Sequence, residues 1–216
     1  MKYPVQVNKS YYSLKSYLAL KRLSTYCLLL LEIASLNPKK ILEIGPGNHF
    51  LAKTLKLLNF KVKTLDFDPK VKPDYVMDIS TDEILKLKKE GFDLIVASQV
   101  LEHIKYKDFL KTLRNLRIIT PRLLLTLPYT RAGAMFLYLE FIIPLFKKRV
   151  SLQREIYYKR KRHQFMGEHY WEIGKVNFSL GRVRKDINKV GWKIIKSYFN
   201  RDHPYHYFLL LTNNGK

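Results

Sequence analysis

Ile41-Leu42-Glu43-Ile44-Gly45-Pro46-Gly47-Asn48-His49-Phe50 is the stretch that decides the fold of this 216-residue chain. It begins as a short apolar run and stops on two glycines, the pattern of a parallel strand buried on both faces. A helical pattern, HFLAKTLKLLN, follows at once. Gly45 and Gly47 remove Cβ atoms where the backbone must turn tightly and approach a ligand, and Pro46 stiffens the turn between them.

The same alternation runs outward from this point. Before it, Ser10 to Leu36 reads as a helix, with Leu14, Leu18, Leu29 and Ile33 near helical spacing and Asn37-Pro38 as its stop. After it come strand KVKTLDFD, a short strand around DYVMDI, helix TDEILKLKKEG, strand FDLIVAS, a helix from Val100 to Leu116 and strand RLLLTLPY. Strands alternating with helices specify a parallel sheet with right-handed crossovers. The rhythm breaks after Tyr129 and resumes with helix Ser179 to Val190, strand WKIIKSYF and strand HYFLLLTN. Only NRDHPY separates the last two, too little for a crossover helix, so they should pair as an antiparallel hairpin. The expected fold is α/β: a Rossmann-like, doubly wound, seven-stranded sheet, mostly parallel, with a C-terminal antiparallel hairpin. Residues 1–38 form an N-terminal helical segment packing on the core, and 39–216 form the main domain, with a basic and apolar insertion at 131–174.

Forty Lys and Arg stand against 18 Asp and Glu, a formal charge of +22. Lysine-rich compositions that serve thermal stability usually raise Glu alongside Lys, and here the acids are missing. Such a field attracts anionic partners. Cys27 is the sole cysteine, which excludes an internal disulfide and a thiolate metal cluster. No apolar run reaches the roughly 18 residues of a spanning helix, and the first residues lack a signal pattern. The expectation is a cytoplasmic protein, with a peripheral place at the membrane as a variant.

In an open α/β sheet the ligand lies beyond the carboxyl ends of the strands, where the strand order reverses. Asp66 ends the second strand, where a carboxylate can accept from both hydroxyls of a ribose. The third glycine of the dinucleotide fingerprint is replaced by Phe50, which argues against a pyrophosphate and so against a nicotinamide cofactor.

With these residues in place the sequence resembles the class I S-adenosylmethionine-dependent methyltransferase family. ILEIGPG is similar to its first motif, TLDFDP to its second-strand acid, DYVMDI to the stretch flanking adenine, and FDLIVASQVLEHI to its fourth-strand motif. The likeness covers residues 39–129, and the final hairpin by topology only. His49 departs from it, standing where the fuller motif often has another glycine. The resemblance implies S-adenosylmethionine as cofactor. It implies that Glu43 meets the cofactor's amino group, Gly45 and Gly47 line the methionine moiety and Asp66 binds ribose. Phe67 then flanks the adenine, Asp78 accepts from its amino group, Ile79 packs on the ring, and Ser98 and Gln99 lie near the sulfonium. Two alternatives stay open: Asp68 as the ribose ligand, and Asp78 as a cap for the next helix with Ser80 and Thr81.

Methyl transfer from a sulfonium needs alignment, exclusion of water and sometimes a base. Loops above the same strand ends nominate His103 and His169 as catalytic candidates, with Glu168 also in reach. Tyr129, His163, Trp171, Glu172, His203 and His206 are the substrate candidates. A histidine that only shapes the pocket is the competing reading of His103. A metal held by His163, His169 and Glu172 matches no known ligand spacing, so none is expected.

AGAMFLYLEFIIPLF, with one acid, abuts KKRVSLQREIYYKRKR; eight basic residues and one acid lie between positions 147 and 162. That juxtaposition suits an interfacial element at an anionic membrane, and equally a lid helix or dimer partner followed by a solvated face. RNA is the other candidate partner, through charge and Tyr157, Tyr158 and Tyr170. The fourth strand ends in ASQV, which lacks the Asn/Asp-Pro-Pro-aromatic motif of enzymes that methylate base amino groups. The expected function is methylation of a small-molecule or lipid-like acceptor, hydrophobic or anionic, at an oxygen or nitrogen nucleophile. The alternative is a methyltransferase-fold protein that docks on RNA or membrane, or methylates RNA.

Overall fold

The run before Gly45 becomes strand β1 (Lys40–Ile44), buried from its second residue to its last, in the middle of a seven-stranded sheet. The structure is a computed structural model and describes residues 3–6, 19–130, 134–143, 148–157 and 161–213. The expected helical start at Ser10, together with Arg131, Lys147 and Tyr158 of the insertion, lies outside them.

β1 pairs in parallel with β2 (Lys61–Asp66) on one side and β4 (Leu94–Ser98) on the other, Ile44 standing opposite Leu65 and Ala97. β3 (Tyr75–Val76) extends the sheet beyond β2, and β5 (Arg122–Pro128) beyond β4. The C-terminal hairpin is antiparallel, as its short connection requires: β9 (His206–Thr212) lies between β5 and β8 (Lys193–Phe199). The order β3-β2-β1-β4-β5-β9-β8 reverses between β1 and β4, so their ends frame a crevice.

The period-two alternation of the strands sorts side chains into two layers. Ile41, Val62, Leu124 and Phe208 face Leu29 and Ile33 of α1 (Leu20–Leu36) and Leu51 and Leu55 of α2 (Phe50–Leu57). Leu42, Ile44, Leu123, Leu125 and Leu127 face Leu113 and Leu116 of α3 (Tyr106–Ile119) and Val183 and Ile187 of α4 (Leu180–Lys189). Helix α4 starts where the sequence places it, with the Ser179 hydroxyl accepting from the Arg182 amide.

Three elements differ from the sequence reading. Asp82–Glu90 is a 3₁₀ run, not an α-helix. Its buried anchors, Ile84 and Leu87, are three residues apart and share one face at three residues per turn. The helix expected from Val100 divides into a 3₁₀ turn, Leu101–His103, and α3, which begins at Tyr106. Gln99, at φ 56, turns the chain away from a helical course. The apolar part of the insertion is a strand, not a helix: β6 (Ala134–Ile143) and β7 (Lys148–Tyr157) form a separate antiparallel ribbon. Among the described residues, no helix is long and apolar enough to cross a membrane.

At the edge of the sheet away from the crevice, Arg122 ties three segments together. Its guanidinium donates to the carbonyl oxygens of Leu36 (2.9 Å) and Asp93 (3.1 Å) and to the Asp93 carboxylate (3.2 Å), which also accepts from the amides of Lys39 and Lys40. Arg122→Ala is therefore expected to lower stability by about 2 kcal/mol, read as a fall in the urea midpoint with an unchanged slope; an unchanged midpoint would remove this tie from the account.

Candidate functional site

The crevice is built first from backbone. Gly45 and Gly47 both take positive φ, 68° and 54°, and a methyl group at Gly45 would collide with the Val100 side chain. His49 also takes a left-handed conformation, φ 62°, which glycine adopts without strain and histidine does not. Its ring Nε2 lies 2.7 Å from the Val71 carbonyl oxygen, a hydrogen bond that offsets the strain and joins the turn to the loop after β2. On β1, Glu43 is 6% exposed. One of its carboxylate oxygens has no partner, and burial pushes its pKa up to about 8, with the Ala52 amide and the Lys56 charge pulling the other way.

Two cavities meet in the crevice, sharing Gly45, Gln99 and His103. Asp66, Phe67, Asp78 and Ile79 line the first, and Tyr3 and Gln6 of the N-terminal segment close it. Asp66 Oδ1 accepts from the Asp68 amide at 2.9 Å, and burial holds its carboxyl above the usual range. Asp68 faces the same cavity, but its carboxylate caps the 3₁₀ turn Pro69–Val71 by accepting from the Lys70 amide. Asp78 accepts from the Ser80 amide and hydroxyl at 2.9 and 2.6 Å, so it caps its own loop and lines the cavity together.

Glu43, Gly47, Ser98, His169, His203 and His206 line the second cavity. Below it lies a polar cluster. Glu102 is 0% exposed, and neither of its carboxylate oxygens has a hydrogen-bond partner; burial raises its pKa to about 7 against the pull of His169. His169 Nε2 lies 3.9 Å from Glu102, while its Nδ1 is 2.9 Å from Glu172 and 3.2 Å from the Tyr205 hydroxyl. Burial disfavours the His169 imidazolium, yet the Glu172 hydrogen bond and the charges of Glu102 and Glu172 outweigh it and hold its pKa above the usual value. His103 is held down to about 4, by burial first and then by His169. Gln6 grips His103 from both sides, its Oε1 2.6 Å from the ring Nδ1 and its Nε2 donating to the His103 carbonyl at 3.3 Å.

Several candidates do not reach the second cavity. Trp171 is 0% exposed and lies in the core against Tyr106 and Phe109, its indole N–H donating to the Ile104 carbonyl. Its place among polar residues in the sequence reflects one buried anchor in an exposed loop, not a substrate contact. Tyr129, 3% exposed, packs against Phe199 and Tyr207. His163 supports the site from behind, its Nε2 2.7 Å from the His169 carbonyl oxygen, and Glu172 acts through His169 and Tyr205. His206 is fixed by Thr25 of α1 at 2.9 Å and held down to about 3 by burial. Sequence reasoning did not nominate Tyr3, Gln6, Glu102 or Tyr205; only Glu102 and Tyr205 carried a signal, as neighbours of candidate histidines.

The sequence model of a family described as a methyltransferase domain matches residues 18–173. No curated protein matches the chain. Solved structures of similar fold include an S-adenosylmethionine-dependent methyltransferase from Clostridium acetobutylicum, 12% identical over 95% of this chain and 97% of that one, TM-score 0.60. The glycopeptide N-methyltransferase MtfA in complex with S-adenosyl-L-homocysteine is 14% identical over 88% of each chain, TM-score 0.58. The 1,6-didemethyltoxoflavin-N1-methyltransferase of Burkholderia thailandensis, with its substrate and S-adenosylhomocysteine, is 13% identical over 94% of this chain and 83% of that one, TM-score 0.57.

The left-handed histidine gives a direct test. His49→Ala keeps the strained φ and loses the bond to Val71, whereas His49→Gly loses the bond and the strain together. The alanine variant should be the less stable of the two by about 1 kcal/mol in chemical denaturation; the reverse order would show that His49 is not strained.

Proposed function

The chain belongs to the methyltransferase-domain family, and on that premise we propose that it is an S-adenosylmethionine-dependent methyltransferase acting on an oxygen or nitrogen nucleophile of a hydrophobic acceptor. The observation that carries the cofactor assignment is the unpartnered carboxylate oxygen of Glu43 beside the Gly45–Gly47 turn. A buried carboxyl in this position lacks a cation, and the cofactor's ammonium group is one. Asp66 then takes the ribose, Phe67, Asp78 and Ile79 take the adenine, and Gln99 stands where the two cavities join, beside Ser98 of the second. Bound there, the sulfonium supplies an electrophilic methyl group for in-line displacement. The chain's own part is to align the acceptor beside His103 and His169 and to exclude water. Phe50, which packs on Tyr26 where a dinucleotide fold has its third glycine, is compatible with a cofactor that has no pyrophosphate.

The acceptor's hydrophobic character rests on the ribbon. Leu137, Leu139, Phe141, Leu152 and Ile156 are 40–58% exposed, and the register places Leu139 opposite Leu152, with Leu137 and Phe141 on the same face. In the chain this ribbon follows β5, whose carboxyl end borders the crevice. An aliphatic face next to eight basic residues at 147–162 is complementary to an anionic lipid surface, with side chains in the acyl boundary and cations at the head groups.

Two experiments test these assignments. At pH 7 the Glu43 carboxyl is largely protonated, and a cation beside it lowers its pKa, so binding must release a proton between the bound-state value and about pH 8. Calorimetric titration with S-adenosylhomocysteine in two buffers of different ionisation enthalpy should show that release, Glu43→Gln should abolish it, and Asp66→Ala should weaken binding at least about tenfold. Absence of binding by the unmodified protein removes the cofactor assignment. For the ribbon, sedimentation with phosphatidylglycerol vesicles but not phosphatidylcholine vesicles is expected, weakened by Leu137→Asp with Leu139→Asp. Binding that survives the double variant, or a preference for single-stranded RNA over vesicles, overturns the lipid assignment.

A further inference from the structure

Glu102, His103 and His169 come from two distant parts of the chain and converge under the second cavity, with one potential ligand atom from each lying within 4.8 Å of the others. We propose that these three side chains form a divalent-cation site whose open coordination positions face the acceptor. This rests on the methyltransferase reading for its role, but not for its existence.

Three observations carry it. First, Glu102 is wholly buried with both carboxylate oxygens unpartnered, His169 Nε2 standing 3.9 Å away. A carboxyl in that position is either expensive or completed by a ligand. Second, each imidazole is already held from behind. His169 offers Nδ1 to Glu172 and Tyr205, leaving Nε2 3.9 Å from Glu102; His103 offers Nδ1 to Gln6 and to the Glu168 carbonyl oxygen, leaving its own Nε2. Outer partners of this kind fix the tautomer and ring direction of metal-binding histidines. Third, the spacing suits an ion: two ligands each about 2.1 Å from a metal lie roughly 3–4 Å apart, which the Glu102–His169 pair meets at 3.9 Å, and His103 brings a ligand atom within 4.8 Å of both.

Two imidazoles and one carboxylate are a borderline donor set, suited to manganese, iron(II) or zinc and poorly suited to calcium or magnesium, which take oxygen ligands. Three protein ligands leave positions for substrate. His103 and His169 both line the second cavity, so an acceptor hydroxyl entering it reaches the ion directly. Coordination lowers the pKa of that hydroxyl: its proton passes to water, the new oxygen–carbon bond forms as the carbon–sulfur bond breaks, and the sulfonium leaves as a neutral thioether. The acceptor selected by such a site is an oxygen nucleophile.

The test is titration of the chelator-treated 216-residue chain with Mn²⁺, followed by electron paramagnetic resonance, with Zn²⁺ as competitor. One saturable site is expected, weakened at least about tenfold by Glu102→Gln and by His169→Ala, with an unchanged far-ultraviolet circular dichroism spectrum in both variants as the sign that the fold persists. No saturable binding of either ion up to millimolar concentration, or binding that survives both substitutions, overturns the site. Failure of the unmodified protein to bind S-adenosylhomocysteine instead overturns the methyltransferase reading and leaves the cation result standing by itself.

Discussion

The contact between Gly45 and Val100 sets the dimensions of everything built above the sheet. It joins the exits of β1 and β4, the two strands at which the order reverses, and no side chain fits between them. Because the two exits are pressed together, both must leave the sheet by unusual routes. Gly45, Gly47 and His49 turn left-handed on one side, and Gln99 does so on the other. Gln99 is held in that conformation by Thr126 of the neighbouring strand, whose carbonyl accepts from its amide at 3.0 Å and whose hydroxyl accepts from its side chain at 3.3 Å. Strain of this kind persists only where the surroundings overdetermine it. The crevice is consequently a rigid feature of the backbone.

Onto that frame the chain places its scarce acids. A protein with 18 acidic residues against 40 basic ones has a positive exterior, yet Glu43, Asp66, Glu102 and Glu172 lie in or under the cleft. The carboxyls of Glu43, Asp66 and Glu102 are each pushed upward by burial. Charge is thus distributed by depth. Basic residues predominate along the chain, while these carboxyls gather at the cleft.

How much of this was legible follows from where each residue sits along the chain. The sheet was readable because strands buried on both faces are apolar throughout and end on glycine, and because NRDHPY is too short to carry a crossover. The first cavity was readable because its parts, Gly45, Asp66, Asp78 and Gln99, occupy successive strand ends. The second was not. Glu102 follows Leu101 in what looked like one continuous helix, and only the left-handed turn at Gln99 shows that it points inward. Trp171 had the company of a site residue and the burial of a core residue. The ribbon was left open between an interfacial element and a lid helix because nine of the ten residues Ala134–Ile143, all but Glu140, are apolar, and such a run has no period. Gln6 could not be found at all, since 97 residues separate it from His103.

That last contact ties together two parts of the molecule that have separate tasks. Gln6 and Tyr3 close the first cavity, and Gln6 also fixes the ring of His103, which borders the second. Tyr3 secures the segment by bonding the Asp108 carboxylate and accepting from the Lys105 amide. The segment 3–6 is therefore fastened at two points, by Tyr3 at the start of α3 and by Gln6 at His103, so the first cavity's wall and the ring that borders the second are set by the same four residues. The aim of a ring at the meeting of two cavities is thus decided 97 positions earlier in the chain, far from the strands that form the crevice.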